Sequence, residues 1–197
     1  MSAASKIPAR WLAMLICLGL MACTGATPAA KTSDAPQNAA SPELVRWTRQ
    51  PAGLTLNVTA DAALNPFEGF THNTMLCIYQ MSDSALFAEL AASPGGLRKL
   101  LVCAPLDPGT VDVQRRFVSP GETTTLVLGR EAGARFVGLV AGYNDPQTGQ
   151  TTALYPFPVS SHRHGWWPWS KAYAPGNLRL KILFKSNSIQ STESNHE

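Results

Sequence analysis

Two kinds of side chain in this sequence are placed to do chemistry, four cysteines and a close pair of histidines. Cys17 and Cys23 lie near the N-terminus, and Cys77 and Cys103 lie in the interior. His162 and His164 form an H-x-H, which supplies at most two imidazoles, whereas a zinc site takes three or four protein ligands. No cysteine or carboxylate stands at matching spacing, so the two histidines read as solvent-facing loop residues and no metal is expected. There is no GxSxG elbow, SxxK, HExxH, glycine-rich phosphate loop or CxxC. The acidic residues are scattered, with no pair spaced for acid–base work. These residues predict a chain that is not an enzyme and needs no cofactor or small-molecule substrate. The sulfur chemistry of the cysteines is left to explain.

Cys23 closes an apolar run, Trp11 to Ala22, that follows Lys6 and Arg10 with no acidic residue near. A membrane-spanning helix needs about 20 apolar residues, so this run is too short to span. A basic start, a short apolar stretch and small residues at its end describe a secretory signal, residues 1–22. Leu20-Met21-Ala22-Cys23 resembles the bacterial lipobox, in which cleavage precedes a cysteine whose sulfur accepts diacylglycerol as a thioether. Each buried CH₂ contributes about 0.8 kcal/mol, so two or more acyl chains anchor stably. Thr24 rather than Asp follows the cysteine, which in bacterial lipoproteins resembles the outer-membrane default. The expected address is the periplasmic face of the outer membrane, with lipid on Cys23.

With Cys17 removed and Cys23 acylated, Cys77 and Cys103 have only each other as intrachain partners in an oxidising compartment. The alternative, two buried free thiols, stays open because spacing along the chain does not give the Cα–Cα distance. Loss of Lys6 and Arg10 with the signal leaves 14 basic against 13 acidic residues. That near-neutral balance gives no reason to expect a nucleic-acid partner.

Residues 23–50, mostly Ala, Pro, Ser, Thr and Asn after the lipidated cysteine, read as a flexible tether reaching about 30 Å. Residues 186–197 read as a polar disordered tail. Residues 51–185 between them are enough for one domain. Their dominant period is two. Leu54, Leu56, Val58 and Ala60 share one face of a strand, and Leu178, Leu180, Ile182 and Phe184 share one face of another. Residues 74–81, TMLCIYQM, are apolar on both faces and predict a central strand covered on both sides. In 110–118 the alternation Val111, Val113, Phe117 predicts those three inward. The period changes to helical at Phe87, Leu90 and Ala91, and again at Leu97, Leu100 and Leu101. The expected architecture is a mainly β, two-sheet β-sandwich of seven strands, with a helical hairpin inserted after the second.

Residues 162–173, HRHGWWPWSKAY, gather Trp166, Trp167, Trp169 and Tyr173 among Gly and Pro. They read as a long loop over the sandwich edge. Exposed Trp also marks partner interfaces and membrane surfaces, which makes these residues a secondary interface candidate.

The stretch 54–87, LTLNVTADAALNPFEGFTHNTMLCIYQMSDSALF, resembles the TssJ (SciN) family of type VI secretion outer-membrane lipoproteins. Leu64, Asn65, Gly69, Ile78, Tyr79, Gln80 and Phe87 fall on that family's pattern, while Met81 replaces its usual Leu. The stretch 118–146 resembles a second block of the same family. The resemblance covers about residues 52 to 185, and it implies a transthyretin-like sandwich. It also implies a lipoprotein that binds the periplasmic C-terminal part of TssM, within a complex that includes TssL. In that family the loop between the first two strands takes part in binding, which here is 61–73, with Leu64, Asn65, Phe67, Glu68 and Phe70 as candidate partner-binding residues. Leu64 is expected to cap the open end of the sandwich, and Glu68-Gly69 to make a tight turn that turns Phe67 or Phe70 outward. The alternative is an envelope lipoprotein that binds a small ligand or glycan through the Trp-rich stretch.

Overall fold

The computed structural model describes residues 38–106, 108–145, 150–163, 165–166 and 170–194. The expected signal 1–22, Cys23 and the first part of the tether lie outside the described residues, as do His164, Trp167 and Trp169.

The strands are β1 (Gln50–Ala60), β2 (Thr74–Met81), β3 (Thr110–Val118), β4 (Thr123–Arg130), β5 (Phe136–Gly142), β6 (Thr152–Pro156), β7 (Val159–Arg163), β8 (Lys171–Pro175), β9 (Leu178–Phe184) and β10 (Ile189–Glu193). Helices α1 (Ala85–Ala91) and α2 (Pro94–Leu100) follow β2. One sheet runs β10-β9-β1-β4 and the facing sheet runs β3-β2-β5-β6, while β7 and β8 form a separate hairpin. The period-two faces explain the core. Leu54, Leu56 and Val58 of β1 and Leu178, Leu180 and Ile182 of β9 meet Leu76 and Ile78 of β2.

The other face of β2 has its own cover. Cys77, Tyr79 and Met81 pack against Phe87, Leu97 and Leu100 of the helical hairpin. The Tyr79 hydroxyl donates to the Leu100 carbonyl at 2.5 Å, and its ring meets Phe87 edge-on at 5.6 Å. Gly138 on β5 makes room for that ring, because a Cβ there would lie 2.6 Å from it. Ser93 caps α2 by accepting from the Gly96 amide at 3.0 Å. Cys77 and Cys103 are disulfide-bonded with Cα atoms 5.4 Å apart, which ties the exit of α2 to the central strand.

Four expectations are corrected. The described residues make ten strands, not seven: the Trp-rich stretch is no simple loop but includes part of the β7–β8 hairpin. Residues 186–197 are not a disordered tail throughout, since β10 pairs antiparallel with β9 and buries Ile189. Residues 38–50 are not tether. Ala39 bridges to Tyr173 of β8, Val45 is buried, Trp47 packs on the core, and β1 already begins at Gln50. Phe117 is exposed: β3 pairs it with Met75 on the helical-hairpin face of the sheet, and the adjacent Val118 packs into the core between the two sheets instead.

Strand register gives the sandwich two distinct ends. At one lie the entering segment 38–49, the β4–β5 turn and the root of β7–β8, joined where the Gly133 amide donates to the Trp47 carbonyl at 2.7 Å. At the other lie the 61–73 loop, the β3–β4 turn and the β9–β10 turn, joined by bonds from the Gly121 amide to the Asp61 carbonyl and from the Asn65 amide to the Ser186 carbonyl.

Candidate functional site

The 61–73 loop is built from the inside out. Asp61 opens it as an Asx turn, its carboxylate accepting from the Ala63 amide at 3.0 Å. Leu64 is wholly buried in the sandwich core. Asn65 follows with φ +47°, a left-handed backbone that Asn tolerates better than most residues. Its side chain is buried and bonded at both ends: Nδ2 donates to the Asn73 carbonyl at 3.2 Å, and Oδ1 accepts from the Asn144 amide at 2.8 Å. Leu64 and Asn65 therefore offer a partner no surface, and their role is to fix the loop.

That fixed base carries a four-residue hairpin turn. The amides of Phe67 and Phe70 donate to each other's carbonyls at 2.8 and 3.0 Å. Glu68 and Gly69 between them have φ of +51° and +83°. Two positive φ values in a row mark a type I′ turn, which is why glycine is needed at its second central position. Residues paired directly across such a turn project from the same face of the ribbon. Phe67 is 52% exposed and Phe70 73% exposed. Phe67 also meets the His72 ring edge-on at 6.2 Å, which steadies it. The result is two rings held outward with an exposed carboxylate, Glu68, between them. Phe117 shares this end of the sandwich and was not found from the sequence. Only the strand register separates its face from that of Val118.

At the opposite end, Trp166 projects from the β7–β8 connection, 89% exposed. His162 Nε2 bonds Asn38 Oδ1 at 2.9 Å. Among the described residues no group of three or more His, Cys, Asp or Glu could hold a metal ion.

The 61–73 end of the sandwich thus displays two exposed rings, Phe67 and Phe70, on a braced turn. The T6SS-SciN family, described as type VI secretion lipoprotein, VasD, EvfM and TssJ, matches residues 52–183. The chain belongs to the type VI secretion lipoprotein family. The family is structural rather than enzymatic and carries no cofactor. Similar solved structures include the type VI lipoprotein TssJ1 from Pseudomonas aeruginosa, at 19% identity and a TM-score of 0.53, covering 76% of this chain and 98% of that one. Lip from Serratia marcescens, a membrane-bound component of the type VI secretion system, gives 19% identity and a TM-score of 0.56, covering 75% and 99%. A structure described as the TssM C-terminal domain (869–1107) from EAEC gives 15% identity and a TM-score of 0.52, covering 71% and 96%. At these identities the likeness is one of fold. No curated protein matches.

Proposed function

We propose that this protein is the outer-membrane subunit of a type VI secretion membrane complex. In this reading it is anchored at the periplasmic face by lipid on Cys23 and engages the periplasmic C-terminal part of TssM, in a complex with TssL. The observation that carries the proposal is the Phe67–Phe70 turn. Leu64 and Asn65 pre-organise it, so two aromatic anchors reach a partner with little ordering left to do. Buried aromatic anchors dominate interface energetics, often at about 2 kcal/mol or more each. The anchor rests on Leu20-Met21-Ala22-Cys23, and the partner on family membership.

The test is capture of the purified periplasmic domain of TssM by Phe67→Ala/Phe70→Ala, with the melting temperature as the folding control. Both rings are exposed, so the fold should survive while affinity falls at least about thirtyfold. Unchanged affinity in a folded double variant would place the interface elsewhere.

A further inference from the structure

The β7–β8 hairpin stands outside both main sheets, and every residue of β7 is exposed. Its last pair is Arg163 with Lys171, and Trp166 lies just beyond. No acidic residue occurs in sequence between Asp145 and Glu193, so the hairpin is cationic. Glu43 lies at its root beside Val159, not at its tip. The chain enters the described domain at this same place, with Asn38 against His162 and Ala39 paired with Tyr173. Asn38 follows Cys23 by fifteen positions, so whatever the intervening conformation, the two are at most about 50 Å apart. The tether from a lipid on Cys23 thus joins the described domain at this end of the sandwich, opposite the Phe67–Phe70 turn.

We infer that the hairpin tip is a second membrane contact. Trp166 seats at the headgroup level of an anionic phospholipid surface, and Arg163 and Lys171 face its phosphates. Trp prefers that depth for its amphipathic ring, and basic side chains beside an anionic surface add attraction. The contact limits the tilt of the domain and turns the Phe67–Phe70 end away from the bilayer. This inference rests on the proposed lipid at Cys23 for its setting, but the test removes that lipid.

The test uses the chain from residue 23 with Cys23→Ser, mixed with vesicles of phosphatidylethanolamine and phosphatidylglycerol. Cosedimentation should show binding, and dibrominated lipids should quench tryptophan emission. Trp166→Ala should lower the vesicle partition coefficient about tenfold, and Arg163→Gln/Lys171→Gln should lower it to a similar extent. Both variants should keep the parent melting temperature. Failure of the Cys23→Ser chain to bind vesicles, or binding that Trp166→Ala leaves unchanged, overturns the inference. So does Trp166-dependent binding to peptidoglycan sacculi without vesicle binding. Mass analysis of Cys23 in membrane-extracted protein judges the anchor separately.

Discussion

The Arg130 guanidinium stands 5.3 Å from the centroid of the Trp47 ring, with Phe157 on it at 5.7 Å. Arg130 is only 1% exposed, and its bonds run to two carbonyls, Gly176 at 3.0 Å and Thr48 at 3.1 Å. Burial pushes its pKa below the ordinary value. The backbone of β1 accommodates it: the register shifts between Gln50 and Leu54, and a Cβ on Gly53 would lie 2.7 Å from the Arg130 Cβ. One cation thus clasps the entering segment, the β6–β7 connection and the β8–β9 turn. Arg130→Ala should destabilise by about 3 kcal/mol, since it leaves a cavity and two unpaired carbonyls. Arg130→Met should lose less by keeping the volume. Urea titrations of both variants check the order.

Reduction of Cys77–Cys103 should lower stability without changing the fold. A bridge over 26 residues constrains the unfolded chain by about 3.5 kcal/mol. For a domain of this size that is a drop in Tm of roughly 7 to 14 °C. Calorimetry with and without reductant, beside far-UV circular dichroism, reads both halves of the statement.

Gly138 and Phe87 should be coupled. Gly138→Ala pushes a methyl into a buried ring that Tyr79 already braces, which costs about 1 to 3 kcal/mol. In a Phe87→Ala background the same change should be nearly neutral. A double-mutant cycle that returns simple additivity would refute the contact.

Stability should fall on the alkaline side. Burial raises the pKa of Tyr143 and of Tyr79 above 10.0. Their phenols therefore keep their protons in the fold where the unfolded chain releases them. The contribution is whole below the unfolded value and is lost as pH rises through the folded values. The urea midpoint should hold to about pH 9 and drop beyond about pH 10. Tyr143→Phe should make that drop shallower, and at neutral pH it should lose the bond to the Ser188 carbonyl, about 1 kcal/mol.

Removing residues 189–197 should destabilise the sandwich. Ile189 would leave the core, and the Tyr155 hydroxyl would lose Ser191, its partner at 2.7 Å. The newly open β9 edge is a template for association. Size-exclusion chromatography and thermal melts of the truncated chain test this.

The sequence shows where burial is regular and hides where it is not. β1 and β9 alternate, β2 is apolar on both faces, and α1 and α2 carry helical spacing, so all five elements were legible. β7 has no buried residue, and in β10 only Ile189 is buried, so neither has a period to detect. Phe117 misled because either of two adjacent apolar residues could face inward, and only pairing with β2 decides between them. Arg130 gave no signal, because a lone arginine reads as surface until Trp47 and Phe157 fold over it. In the candidate loop, Glu68-Gly69 announced the turn. The fixing role of Asn65 depends on Asn144 and Ser186, which are distant in the chain.

β1 joins the entering segment to the 61–73 loop without interruption, and it is flanked by β4 on one edge and β9 on the other. Its 11 residues span about 35 Å in extended form and have almost no slack. Tension applied between the N-terminal side and that loop therefore travels along a single covalent backbone. The hydrogen bonds on both edges lie across the direction of pull, so any sliding of β1 would have to shear them all together and could not unzip them one at a time. The sandwich can transmit mechanical load from one end to the other while the remaining strands stay at rest.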